Sequence, residues 1–283
     1  MAVSPARVAR RRIANALFMG ACVAVTALAL AALAAILWSL VSQGLAGMNL
    51  AVFTKSTPAP GSSGGLANAI AGSIMLGLAA MAMAVTVGIL AGTWLAEYAG
   101  ESRYGSAVRF LNDVLLSAPS ILVGLFVYEI LVAPFGGFSG IAGAVALALL
   151  AAPVITRTTE DVLKLQATSL REAGIALGAP AWRVIGRILW RSGASGIITG
   201  ALLAFARISG ETAPLLFTAL NNQFFSLDMR GPMANLPVVI YQFALSAYDD
   251  WRRLAWAGAL IIAVSVLGVT ILARILSRDP KRS

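Results

Sequence analysis

The chain has 283 residues, 59% hydrophobic and 12% charged, with a formal net charge of +9. Soluble domains run near half apolar and a quarter charged, so this composition cannot cover a water-facing surface and belongs in lipid. With no histidine and a single cysteine, Cys22, the sequence excludes imidazole catalysis, His-ligated metals, an internal disulfide and Cys-based zinc or iron–sulfur sites.

Six charge-poor stretches are long enough to cross a bilayer, which takes about 20 apolar residues. In chain order they are 16–41, 66–97, 110–133 (with Asp113 and Glu129), 140–156, 192–219 (with Arg207 and Glu211) and 254–273. Short alternating segments of a membrane barrel are not seen. The expected fold is therefore all-α: a polytopic membrane protein of six transmembrane helices. The first apolar run is longer than the about 7–15 residues of a secretory signal and reads as an uncleaved span.

Lys and Arg set the orientation. With the amino end inside, the inner segments 1–15, 97–109, 157–191 and 274–283 hold 16 basic residues, and the outer segments hold four. Both termini are expected in the cytoplasm. The positive charge then reports topology, and no nucleic acid partner is implied.

The outer segment 42–65 contains a Pro/Gly-rich run, 56–65, which is expected to be irregular; the segment is either a connector or a docking loop. Residues 134–140 form a tight hairpin, with Glu129 near it either snorkelling to water or lining a vestibule. The second outer segment, 220–253, is too long for a tight turn. Its aromatic part, 238–251, is expected along the membrane surface with Tyr241, Phe243, Tyr248 and Trp251 as anchors.

The longest and most basic inner segment is 157–191. Ser169 followed by Glu172 is a helix-start pattern, and Gly178 followed by Pro180 is a helix-stop pattern. A short helix over 170–177 is expected, then a second over 181–191 that feeds the fifth span. The segment is either an ordinary solvated loop or a protrusion that another protein grips.

Arg207 lies 14 residues into the fifth span, about 21 Å at 1.5 Å per residue. A charge at the bilayer centre costs about 2.5–3.5 kcal/mol on insertion scales. Glu211, four residues on, is expected on the same helix face, where pairing lowers the cost of both. The pair is either structural or a cationic station for an anion, since a guanidinium donates two parallel hydrogen bonds to an oxyanion. Arg157, at the inner end of the fourth span, is either a positive-inside anchor or a second station.

The run Glu172-Ala173-Gly174 with Gly178 four residues later resembles the EAA loop of ABC-importer permeases, with Gly174 where Ala is usual and Trp190-Arg191 at the usual Leu-Pro. The run from Ser117 to Tyr128 and the run from Ala206 to Leu220 resemble the phosphate permeases of the PstA type, across about 66–278. The resemblance implies the type I ABC importer permease fold, with a cytoplasmic coupling helix. The permease core would be 66–283 and its EAA coupling loop about 157–191. Residues 1–65 would hold the amino-terminal cytoplasmic segment, the first span and the outer loop.

By that resemblance Arg207, Glu211 and Arg157 would line the transport pathway, and Arg171, Glu172, Ala173, Gly174, Leu177 and Gly178 would couple to an ATPase. The chain would be a non-enzymatic permease subunit in the bacterial cytoplasmic membrane, needing no cofactor or metal. Its partners would be membrane lipid, a cytoplasmic ATPase dimer, a homologous second permease, an external phosphate-binding protein and inorganic phosphate. The chain carries no phosphate-binding G-x-x-x-x-G-K-[ST] loop, so energy would come from that ATPase. The rival readings are an ABC permease for another oxyanion or small solute, and an ion-coupled carrier using Glu129 and Glu211.

Overall fold

The computed structural model describes residues 5–276; the basic carboxyl end expected in the cytoplasm lies largely outside them. Every regular element among the described residues is helical. Five helices are long and apolar enough to cross a membrane, and a sixth span results if one sharply bent pair counts as one.

Helix α1 (Pro5–Gly47) has 43 residues, far more than a bilayer needs. Most of its surface is exposed, and it packs on α12 (Asp249–Leu276) through small residues. A side chain at Gly47 would stand 2.5 Å from the Arg253 carbonyl oxygen. The Pro/Gly-rich run 56–65 is without helix, as expected, and a short helix precedes it. Asn49 accepts a hydrogen bond from Val52 N at 3.1 Å and starts α2 (Leu50–Thr54), leaving only the Pro/Gly-rich part without helix.

The centre is the pair α3 (Ala67–Glu97) and α6 (Gly140–Lys164). Ala80 and Ala84 of α3 and Ala144, Ala148 and Ala151 of α6 are buried in one cluster. At Gly92 a Cβ would lie 2.5 Å from the Thr156 carbonyl. Small residues let the two backbones approach closely, which is how helices associate where lipid removes the hydrophobic drive. Ser139 caps α6 by accepting from Ala142 N at 3.2 Å. The helix runs eight residues past the expected end and so carries Arg157 and Glu160.

The third span is not one straight helix. α4 (Arg103–Ser117) and α5 (Ser120–Val127), which continues as a π turn over Tyr128–Val132, meet at 106°. The cause is local: Pro119 pushes Ala118 out of the helical region, to ψ 136°.

After α6 come α7 (Thr168–Ala176), α8 (Ala181–Val184), a π segment (Ile185–Leu189), α9 (Trp190–Ser209) and α10 (Ala213–Thr218). α7 starts one residue before the expected Ser169 and has no side-chain cap. The aromatic outer piece is not a free surface ribbon. It forms α11 (Leu236–Ala244), whose Leu236, Val238, Val239 and Phe243 are buried. Phe243 stacks on Trp251 at 4.3 Å, so these two rings serve packing, while Tyr241 and Tyr248 stay exposed.

Candidate functional site

The fifth span breaks where its charges sit. α9 ends at Ser209, Gly210 leaves helical geometry (φ −104°, ψ 2°), and α10 restarts at Ala213 with Pro214 in its first turn. A proline there costs nothing, because a first-turn N–H has no intrahelical partner. The expected Arg207–Glu211 pair depends on a continuous helix and is not formed; among the described residues no carboxylate pairs with Arg207. Each charge instead sits at a helix end of suitable sign. Arg207 is in the last turn of α9, and Glu211 precedes the first turn of α10, placements worth about 0.3–1 kcal/mol each. Arg207 is exposed and Glu211 half-buried.

The two runs that resemble the phosphate permeases meet at this break. Gly124 of α5 lies against α10 so closely that a Cβ would be 2.6 Å from Pro214 Cα. The opposite face of α9 borders an apolar groove of about 620 Å³ lined by Phe205, Ile208, Leu215 and Val266; Arg207 is not part of it.

Arg157, on α6, is exposed and held by carboxylates on two helices. Its Nε is 3.3 Å from Asp161 Oδ2, and its Nη1 is 3.9 Å from Asp113 Oδ1 on α4. Asp161 also lines a groove of about 340 Å³ between α6 and α9, with Thr158, Ser195 and Thr199. Arg157 on α6 and Arg207 on α9 stand on neighbouring helices. Glu129, in the π turn, is exposed.

The coupling-loop residues divide into an inner and an outer set. Arg171 is a strut: it gives hydrogen bonds to Glu97 Oε2 at 2.9 Å and Oε1 at 2.6 Å, and to the carbonyls of Gln166 (2.8 Å) and Leu163 (2.7 Å). The bond to Glu97 raises the already high pKa of its guanidinium. Gly174 is buried on the neck that follows, where a Cβ would be 2.8 Å from Val184 Cγ2 and 3.3 Å from Ile188 Cδ1. That contact explains glycine at a position where alanine is usual. Glu172, Ala173 and Leu177 are exposed, Leu177 at 88%. Gly178, at φ +76°, makes the expected stop.

One cluster was not anticipated. Glu160 is buried at the inner end of α6 and bridges Arg109 Nε and Lys164 Nζ, both at 2.6 Å. Arg109 also donates to the carbonyls of Gly100 and Leu95 at 3.0 Å, tying α4, α3 and α6 together. The Glu160–Lys164 spacing was readable as an i,i+4 pair; no local pattern pointed to Arg109.

Comparison with known proteins agrees with this geometry. Residues 84–282 match the family described as binding-protein-dependent transport system inner membrane component. The phosphate transport system permease protein PstA of Yersinia pestis is 56% identical over 247 residues, covering 87% of this chain and 84% of that protein. PstA of Pasteurella multocida (strain Pm70) is 55% identical over 240 residues, covering 85% and 86%. Among solved structures, an inward-facing form of the MetNI methionine ABC transporter aligns with a TM-score of 0.54 at 19% identity, covering 75% of this chain and 94% of that one, which bears on fold alone. The class defined by the six-span helical fold and its protruding loop is that of an ABC importer permease. The chain belongs to the family of binding-protein-dependent transport system inner membrane components, among the permeases named PstA.

Proposed function

We propose that this chain is the permease subunit of an ATP-driven importer for inorganic phosphate, supplying half of the translocation pathway from its core, 66–283. The observation that carries the reading is the broken fifth span, with Arg207 exposed at the end of α9. Irregular backbone at membrane depth is tolerated only where protein buries it or it lines a water-filled cavity. An arginine exposed there on one chain needs a polar neighbour or water, because lipid contact is costly. A homologous second permease closing over α5 and α9 supplies that setting, and phosphate passes through it.

Arg207 then offers its planar fork to the phosphate oxygens. Because Glu211 does not pair with it, the guanidinium is free to bind, while the nearby carboxylate limits how long the anion stays. Arg157, shared between Asp161 and Asp113, is the second station towards the cytoplasm, where phosphate must compete with those carboxylates. The excess of basic residues in the inner segments supports both termini on the cytoplasmic side.

Coupling runs through the exposed face of α7. Glu172, Ala173 and Leu177 meet a cytoplasmic ATPase dimer. Arg171 and Gly174 pass its motion to α3 and to the start of α9, and Gly178 fixes the turn. An external phosphate-binding protein delivers the solute. The test is co-purification and transport together. The ATPase should co-purify with the intact chain and be lost when 169–180 are scrambled, and labelled phosphate uptake should resist competition by sulfate and molybdate. Retained ATPase binding after scrambling, or equal competition by the other oxyanions, refutes the corresponding part.

A further inference from the structure

A row of arginines leads from the coupling loop into the fifth span and is used by neither the transport nor the coupling role above. Arg183, Arg187 and Arg191 recur every four residues, and all three are exposed. The other cations of this neck, Arg109, Arg157, Lys164 and Arg171, each have a carboxylate partner. No Asp or Glu occurs between Glu172 and Glu211, and among the described residues no carboxylate pairs with Arg183, Arg187 or Arg191.

The backbone keeps the row aligned. In an ordinary α-helix each four-residue step overshoots a full turn by about 40°. The π segment Ile185–Leu189 lies inside the row, and its wider turn winds that drift back. The same segment buries Ile185 and Leu189 against Leu163, so the arginines are left on the opposite side.

Depth identifies the surroundings. Ala181–Ser209 is a single 29-residue span, about 43 Å long at 1.5 Å per residue and longer than the roughly 30 Å of hydrocarbon. Its charged first third therefore stands in the headgroup layer. Trp182, 65% exposed, lies beside the row with the Arg183 guanidinium 5.1 Å from its ring centre, and tryptophan favours that layer.

We propose that Arg183, Arg187 and Arg191 form a binding strip for the phosphate groups of anionic phospholipids on the coupling-loop side of the membrane. Each guanidinium can hold a phosphodiester oxygen pair, and basic clusters at this depth attract anionic headgroups. Bound lipid anchors the start of α9 beside Val184, the residue against which Gly174 of α7 packs. The site requires only that α9 crosses the bilayer and is independent of the transported solute.

The test uses the intact chain in phosphatidylcholine vesicles containing about a quarter phosphatidylglycerol, with spin-labelled lipids reporting which headgroup is held at the protein surface. The native chain should prefer phosphatidylglycerol by about three- to fivefold. The triple change Arg183→Gln, Arg187→Gln, Arg191→Gln should clearly lower that preference, the other inner basic residues accounting for what remains, and the matching triple change to Lys, which keeps the charge and controls for folding, should retain most of it. No preference in the native chain, or an undiminished one in the Gln variant, overturns the proposal. Displacement of the lipid by millimolar inorganic phosphate would assign the strip to the free anion, and loss of the preference on adding the ATPase subunit would assign it to that protein; either result also overturns it.

Discussion

The bond between Arg171 and Glu97 is the most direct mechanical link from the coupling helix to the membrane core. α7 is only nine residues long, too short to hold its shape alone. Its side-chain tie to α3 is this ion pair, reinforced by the two carbonyls that also receive the guanidinium. The side chains are 22% and 9% exposed. Breaking a fully buried pair costs about 3–5 kcal/mol. Here Arg171 keeps both carbonyl bonds and some water contact, so Glu97→Gln should cost less, about 2–3 kcal/mol. The assembled transporter should lose several degrees of apparent melting temperature in a size-exclusion assay. On the proposed coupling through α7, ATP hydrolysis should continue while phosphate uptake falls. Exchanging the charges, Glu97→Arg with Arg171→Glu, should not recover the melting temperature, because a carboxylate at 171 cannot donate to the Gln166 and Leu163 carbonyls. If Glu97→Gln leaves both melting temperature and the ratio of uptake to hydrolysis unchanged, the strut carries no load and the reasoning fails.

Further outcomes follow from the same geometry. Glu160→Gln removes a carboxylate only 3% exposed that neutralises Arg109 and Lys164; because Arg109 keeps two carbonyl bonds and Lys164 reaches water, it should destabilise the chain by less than a fully buried break, about 2–3 kcal/mol, measured by heat or denaturant resistance. Gly124→Val places a branched side chain against Pro214, where even a Cβ comes within 2.6 Å of backbone; an overpacking cost of about 1–3 kcal/mol should separate α5 from α10 and lower uptake at equal expression. Gly178→Val forces a branched residue to φ +76°, costing about 1–3 kcal/mol, and should reduce uptake per ATP hydrolysed more than it reduces the amount of assembled complex.

How much of this could be read from sequence depended on distance along the chain. Gly178 and Pro180 mark the end of α7 because a left-handed turn and a missing N–H are properties of single residues. The six spans were visible because hydrocarbon imposes a length on each. Glu97 and Arg171 were not, since the residues lie 74 positions apart and no local pattern joins them. In the fifth span two local signals compete: the i,i+4 spacing predicts a pair between Arg207 and Glu211, while Ser209, Gly210 and Pro214 let the backbone bend between them, and the bend prevails. Gly210 and Pro214, four residues apart, carried the signal for the break, and the close approach of α5 at Gly124 makes it stable. Composition alone predicts all four aromatics of 238–251 as surface anchors; Tyr241 and Tyr248 are exposed, whereas Phe243 stacks on Trp251 and is buried, a pairing no local pattern reveals. The short helix α2 follows from the Asn49 cap, a signal overshadowed by the Pro/Gly run after it.

Arg207, at the end of α9, is proposed to give phosphate its foothold within the membrane. Uptake of labelled phosphate by the fully assembled transporter carrying Arg207→Gln tests it most directly, with assembly checked by co-purification of the ATPase. The expected outcome is an intact complex with uptake reduced to background, and partial recovery with Arg207→Lys. An assembled Arg207→Gln complex that imports phosphate at the native rate contradicts it.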